Sequence, residues 1–224
     1  MAMPPVSIMA QYRQGSEQGF EDGRLFAPTF PRNSPPLISE LAPWLNGRKG
    51  TVLEIGAGTG QHATAFALAF RGLDWWPSDP DPLHRASVEA WQKALGAPLR
   101  PAFDLDAATD WAALPEVEAL APLAAVLSMN VIHIAPFEVA TGIVLGAGKA
   151  LAQDGILILY GPFKENGAHT GAGNEAFDAR LRSENPDWGI RDSTEVAALA
   201  DQAGLRQVAF VSMPANNRLI IFQK

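Results

Sequence analysis

The chain has no cysteine among its 224 residues. That removes disulfides, thiolate metal sites and cysteine nucleophiles together. None of the 4 histidines stands at ligand spacing from another, so no metal site is expected. Basic residues are the minority: 17 Lys and Arg face 24 Asp and Glu, for a net charge of −7. The longest basic cluster is "GRKG", residues 47–50, so no nucleic-acid partner is expected. Long apolar runs are missing too. None reaches the roughly 18 residues that span a bilayer, so no membrane association is expected. The start, "MAMPPVSIMAQYRQGSEQGFEDG", lacks a basic stretch followed by an apolar core. It does not read as a secretory leader, and a cytoplasmic location is expected.

What is present fits a packed protein of about one domain: 47% hydrophobic and 18% charged residues. Residues 1–30 are rich in Gly, Gln, Pro and charge without apolar periodicity, and read as an irregular arm or lid. Residues 31–224 read as a single domain. A short helix is expected over "PLISELAPWL", residues 36–45, capped by Ser34, with Pro35 and Pro36 in its first turn. Strand-like and helix-like stretches then alternate. "GTVLEIG", "LDWWPSD", "APLRPAFDLD", "LAAVLSMNVIHI" and "GILILYGPF" read as strands, with helical patterns between them. A last helix over "STEVAALADQAG" is expected to be capped by Ser193 or Thr194 and stopped by Gly204. "LRQVAFVSMP" and "NNRLIIFQK" follow, joined by a turn around "PANN". The fold class is α/β: a Rossmann-like, seven-stranded, mostly parallel sheet with helices on both faces and a C-terminal antiparallel hairpin.

The richest chemistry sits in "TVLEIGAGTGQHA", residues 51–63. A strand ends in Glu54, and Gly56, Gly58 and Gly60 follow at alternate positions. Glycines permit positive φ and close ligand approach, and open α/β sheets bind ligands at such strand ends. A phosphate loop would need a lysine after the last glycine, and Gln61 and His62 stand there instead. A dinucleotide turn would place its third glycine at position 61. Glu54 disfavours a pyrophosphate and suits an ammonium group, which points to S-adenosylmethionine, with S-adenosylhomocysteine as product. The cofactor turn spans Gly56, Ala57, Gly58, Thr59, Gly60 and His62. Asp79, about twenty residues on, stands where an acid binds ribose hydroxyls. Asp104 in "FDLD" is placed to accept from the adenine amino group, with Leu105 beside the ring. Each acid, taken alone, also reads as a loop cap or a solvated charge.

Together with "RLFAPTFPRNSPPL", "WWPSDPDP", "SMNVIHIAPFE", "YGPFK", "NEAFD", "WGIRD" and "PANNRLIIFQK", these segments resemble one family. It is a domain-of-unknown-function family related to methyltransferase-like protein 26, assigned to the class I S-adenosylmethionine-dependent methyltransferases. The resemblance runs from about Arg24 to the end. It implies a methyltransferase acting on an acceptor that the family does not identify. Two departures stand out: Ala57 where a small or hydroxyl residue is usual, and "FPRN" for a more polar stretch.

Methyl transfer needs an aligned nucleophile, excluded water and sometimes a base. After the fourth strand, Met129 can line the adenosine and Asn130 can bind the methionyl or acceptor side. His133 is the base candidate, or else a hydrogen-bonded structural histidine. Tyr160 can serve catalysis by donating to a substrate oxygen, or simply pack. Lys164 can hold an anion or be solvated. The polar stretch "ENGAHTGAGNEAFD", residues 165–178, reads as a lid or a plain loop, with His169 and Asn174 on it and Arg180 after it. Asn216 and Asn217 can contact substrate or make the hairpin turn, and Arg218 can bind a carboxylate. Arg32 and Asn33 are expected over the methionyl carboxylate. Of Trp75 and Trp76, one is expected to pack a helix and the other to close over adenosine. Trp188 reads as core. Two other classes stay open: a non-catalytic cofactor-binding module and a nicotinamide oxidoreductase.

Overall fold

The computed structural model describes residues 18–224, and the part of the expected arm over residues 1–17 lies outside the described residues. The first described residues are not irregular. Strand β1 (Gln18–Gly19) pairs antiparallel with β2 (Leu25–Phe26). The ribbon is held by Arg24, which lies over the rings of Phe20 and Trp91 and ion-pairs with Asp22.

Helix α1 (Phe30–Leu45) begins earlier than expected, with Thr29 rather than Ser34 at its N-cap. Pro35 and Pro36 therefore stand inside the helix. A proline there costs about 3 kcal/mol. Leu37, Leu41 and Leu45, spaced four apart on one face, are buried at 0%, 0% and 1% exposure. Each contributes about 1.5–3 kcal/mol, which opposes the cost of the interior prolines Pro35, Pro36 and Pro43.

Then follow β3 (Gly50–Ile55), α2 (Gln61–Ala69), β4 (Leu73–Ser78), α3 (Pro82–Leu95), a short α4 (Pro115–Glu118) that the sequence did not suggest, β5 (Leu123–Met129), α5 (Phe137–Ala150) and β6 (Leu151–Pro162). After it come β7 (Lys164–Glu165), β8 (Ala168–His169), α6 (Ala172–Glu184), α7 (Ser193–Gln202), β9 (Arg206–Met213) and β10 (Asn217–Gln223). The main sheet has the order β4-β3-β5-β6-β10-β9. Its first four strands are parallel, and β10 runs antiparallel between β6 and β9. The expected mixed sheet with a C-terminal hairpin is therefore present, but with six strands rather than seven. The "APLRPAFDLD" segment makes only isolated bridges, Trp75 to Leu99 and Ser78 to Phe103. Pro98 and Pro101 remove the donors a continuous ladder would need.

Each sheet face carries its own core. One packs Trp111, Ile143 and Val196 from the α5 and α7 side; the other packs Leu37, Phe66 and Trp75 from the α1 and α2 side. Trp188 is buried, as expected. Among the described residues no helix is long and apolar enough to cross a membrane.

Two turns differ from expectation. The start of the supposed lid is a hairpin, β7 to β8, closed by Asn166 and Gly167 at φ 54° and 82°. Asn-Gly is the pair that a two-residue primed turn requires. The rest of that stretch is the first part of α6. In the last hairpin, Ala215 and Asn216 take the left-handed geometry at φ 59° and 57°, while Asn217 already opens β10. Helix α7 is capped by Asp192, whose Oδ1 accepts from the Thr194 amide at 2.9 Å, rather than by Ser193 or Thr194. Gly204 follows it at φ 74°.

Candidate functional site

The carboxyl ends of β3, β4 and β5 open onto one cleft. The glycine turn forms its floor. Gly56 and Gly60 stand at φ 75° and 80°, and the Gly56 and Ala57 amides donate to the Ser78 carbonyl at 2.9 and 3.0 Å. Gly58, at φ 55°, has no heavy atom within 4 Å of where a Cβ would stand. Gly60 is different: a Cβ there would lie 2.7 Å from Val88 Cα, so its bareness lets α3 pack against the turn.

Two acids meet at this floor. Asp79 Oδ2 accepts from the Gly58 amide at 2.8 Å, and its Oδ1 accepts from the Asp81 amide at 2.9 Å. His84 Nδ1 lies 3.2 Å from the same Oδ1. Glu54 lines the cleft with only 2% of its surface exposed. The Trp75 indole donates to its Oε2 at 2.6 Å. Burial pushes the Glu54 carboxyl up to about 8, the nearby Asp79 charge adding to the rise while the indole opposes it. At neutral pH the free cleft therefore holds Glu54 mostly protonated, ready to release its proton to solvent when a cation arrives.

His62 stands in the first turn of α2, between the rings of Phe30 and Phe66. Burial pushes its imidazole down to about 4, so it is neutral, and its buried Nδ1 has no hydrogen-bond partner among the described residues.

Of the residues singled out in the sequence, the structure brings Glu54, Gly56, Ala57, Gly58, Thr59, His62, Asp79, Met129 and Asn130 to the cleft wall. It does not bring Asp104 or Leu105 there. Asp104 is exposed, 3.7 Å from Arg85, and Leu105 is 1% exposed in the core under α5. Trp76 is off the cleft as well: its indole bonds Asp74, and Arg100 lies over its ring. His133 is 3% exposed, edge-on to Phe177, and does not line the cleft. Burial, then the Arg191 charge, pushes it down to about 3, which leaves a neutral and weakly basic imidazole.

The remaining candidates gather beyond the end of β6. The Asn217 amide donates to Tyr160 Oη at 2.9 Å. Asn174 Nδ2 donates to the Thr170 hydroxyl at 2.8 Å and to the Asn216 carbonyl at 3.1 Å. Helix α1, which carries Arg32 and Asn33, packs against the Pro214–Asn216 turn. Lys164 and Arg218 are both committed inside the protein. Lys164 meets Asp178 at 3.1 Å and Arg218 meets Glu165 at 2.6 Å. Asp178 also bonds His169 and Arg182 and accepts from the Ile190 amide at 2.6 Å. Those bonds outweigh burial and hold its carboxyl down to about 2. Asp178→Asn is expected to cost about 1–3 kcal/mol, read as a lower denaturant midpoint at unchanged m-value.

The roof falls in the stretch over residues 1–30 that reads as an arm or lid, none of whose residues was assigned to the site. Ala27 and Thr29 line the cleft from above. The Ala27 amide donates to Gln61 Oε1 at 2.7 Å, and the Leu25 amide to Ser87 Oγ at 2.8 Å. Ser87 Oγ in turn donates to the Thr59 carbonyl at 2.7 Å. Gln61, first noticed only as the residue that is not glycine, thus ties the roof to the turn. No periodic pattern marks residues 18–29, so the sequence did not show which of them reach the cleft. Ile134 and Ala135, which follow His133 in the chain, also stand on the wall.

Solved structures share this fold. An O-methyltransferase family protein from Burkholderia thailandensis is 17% identical with a TM-score of 0.72, over 85% of this chain and 56% of its own. PigF with SAH is 15% identical with a TM-score of 0.71, over 87% of this chain and 57% of its own. The magnesium protoporphyrin IX methyltransferase ChlM from Synechocystis PCC 6803, with bound SAH, is 15% identical with a TM-score of 0.62. It is matched over 84% of this chain and 80% of its own. The chain thus spans little more than half the length of the first two. The family model described as "Protein of unknown function (DUF938)" matches residues 24–224, and the chain belongs to that family.

Proposed function

We propose that the protein is an S-adenosylmethionine-dependent methyltransferase acting on a small molecule, with kinship to methyltransferase-like protein 26 as part of that reading. One observation carries it: a buried acid, Glu54, and a second acid, Asp79, flank a glycine turn whose next residue, Gln61, holds the roof of the cleft. The fold shared with methyltransferases, two of them solved with S-adenosylhomocysteine, supports the same cofactor. When bound, S-adenosylmethionine supplies an electrophilic methyl group on a positively charged sulfur.

The residues present fit that group. Glu54 would meet its ammonium, with the Trp75 indole fixing the carboxylate. Asp79 would accept from ribose hydroxyls while keeping its bond to the Gly58 amide. The open space at Gly58 lets the ligand lie against bare backbone. The orphan Nδ1 of His62 offers a polar contact at the start of α2, and Met129, Ile134 and Ala135 give an apolar wall. A second reading, a binding module without chemistry, draws support from His133, which is neutral and off the cleft.

Titration calorimetry is expected to give a dissociation constant below about 0.1 mM for S-adenosylhomocysteine, or about −5.5 kcal/mol. No binding at millimolar ligand would remove the reading, and tight binding of NADH by fluorescence would replace it with a redox one.

A further inference from the structure

The segment "WGIRD", residues 188–192, lies off the cleft, yet it grips the loop that forms one wall of it. That loop runs from the end of β5 at Met129 to the start of α5 at Phe137, and Val131, Ile134 and Ala135 on it line the cleft. Between a strand and a helix its carbonyls have no ladder to join, and buried carbonyls need donors. Three of them are met from 56 to 59 residues further along the chain. Arg191 Nε donates to the Ile132 carbonyl at 3.0 Å, and its Nη2 donates to the Ala135 carbonyl at 2.6 Å. The Gly189 amide donates to the His133 carbonyl at 2.9 Å.

The grip is itself anchored. Arg191 Nη2 also donates to the Asp187 carbonyl at 2.7 Å, and the Lys164 amide donates to the Arg191 carbonyl at 2.9 Å. Asp178 holds the neighbouring Ile190 amide at 2.6 Å. Gly189 stands at φ 144°, and a Cβ there would lie 2.5 Å from Arg182 Nη2 and 2.8 Å from Asp178 Oδ1, so no side chain fits. The Arg191 guanidinium lies over the Phe137 ring, 5.5 Å from its centroid, where the loop turns into α5. Arginine suits this place because its planar fork presents several donors in fixed directions, whereas a lysine gathers all of its donors on one nitrogen.

We propose that Arg191 is a positioning residue for the cofactor: through the Ile132 and Ala135 carbonyls it fixes the wall on which the adenosine part of the ligand lies. The inference rests on the methyltransferase reading above. In that reading Glu54 and Asp79 take the ammonium and the ribose. The flat base then needs apolar surface, which Met129, Val131, Ile134 and Ala135 supply. Arg191 is half-buried, and its bonds to the wall carbonyls are charge-assisted. Without the guanidinium those carbonyls must turn toward water, and the wall turns with them. A gap of about 0.5–1 Å forfeits roughly a quarter to a half of the dispersion attraction across it. On its far side Arg191 lines an open pocket with Phe137, Lys164, Glu195 and Gln202, so a small cation from solvent can reach its place.

The test is calorimetry on the full chain with two ligands, S-adenosylhomocysteine and 5′-methylthioadenosine, which lacks the amino-acid end. Arg191→Ala is expected to weaken both by a similar factor, about tenfold or more. Guanidinium chloride at about 20 mM should restore most of that loss, urea at the same concentration should not, and Arg191→Lys should fall between wild type and Arg191→Ala. Glu54→Gln gives the contrasting pattern, weakening only the ligand that carries an ammonium. An Arg191 that merely supports the fold would lower the melting temperature and leave both affinities within about twofold, and that result overturns the inference. So does a loss confined to S-adenosylhomocysteine, and so does a loss that guanidinium does not reverse. Should Arg191→Ala not fold, Arg191→Lys decides: a loss of about threefold or more for both ligands supports the inference, and wild-type affinities overturn it. Any of these failures in a protein whose wild type binds S-adenosylhomocysteine leaves the methyltransferase reading standing. Wild type that binds neither ligand removes that reading and this inference together.

Discussion

Glu54→Gln is expected to weaken S-adenosylhomocysteine binding by about 100-fold or more near pH 7.5, because it removes the buried carboxylate that the ligand ammonium would pair with. Wild-type affinity should rise by up to about tenfold per pH unit between about pH 6 and about pH 7.5, as the Glu54 proton is lost more cheaply. Above that range the ligand's own ammonium begins to titrate. The variant should show no such slope. Calorimetry in buffers of different ionisation enthalpy would register proton release from wild type only. If Glu54→Gln matched wild type at pH 7.5, no cation would sit on Glu54.

The same substitution has an opposite effect on stability. The folded carboxyl titrates at about 8, above its unfolded value near 4.5. A raised group contributes stability that is fully present below the unfolded value and is lost as pH climbs through the folded one. Wild type should therefore lose several kcal/mol between about pH 5 and about pH 8.5. The glutamine of the Glu54→Gln variant keeps an acceptor for the Trp75 indole but does not titrate. The melting temperature of wild type should fall relative to the variant across that window, by roughly 10 °C at its end. Binding function and fold stability thus conflict at one side chain.

Why Glu54 was legible in the sequence, and Asp104 was not, is a matter of which strands are continuous. Glu54, Asp79 and Asn130 end or follow strands β3, β4 and β5, whose apolar runs fix where each chain leaves the sheet, and all three line the cleft. Asp104 follows a segment that Pro98 and Pro101 keep from laddering, so the rule of acids at strand ends fails there. The first helix misled for the reverse reason. Its prolines read as a start signal, while the Leu37, Leu41 and Leu45 stripe carries the helix through them. Lys164 and Arg218 looked free because Asp178 and Glu165 reach them only through folding, 14 and 53 residues away. His133 looked like a base because its neighbours in sequence are at the cleft. Burial, which a sequence shows only faintly, takes that role away.

Two glycines that look alike in the motif should respond differently to alanine. Gly60→Ala puts a methyl 2.7 Å from Val88 Cα and 2.8 Å from Val88 Cγ2, in a residue held at φ 80°. The left-handed conformation costs about 1–2 kcal/mol and overpacking another ~1–3 kcal/mol. Backbone cannot swing aside as a side-chain tip would, so α3 must shift away from the turn. A fall of roughly 10 °C in melting temperature is expected. Gly58→Ala, at φ 55° with nothing within 4 Å, carries only the conformational cost, and a fall of a few degrees is expected. Its methyl enters space that the ligand needs, since Gly58 lines the cleft and its amide is fixed by Asp79. Thermal melts with and without S-adenosylhomocysteine separate the two. Gly60→Ala should start lower yet still be raised by ligand, and Gly58→Ala should start near wild type and gain little. Equal melting temperatures for the two variants without ligand would mean that α3 does not depend on the bare Gly60. A full ligand shift in Gly58→Ala would mean that the cofactor does not lie against the turn.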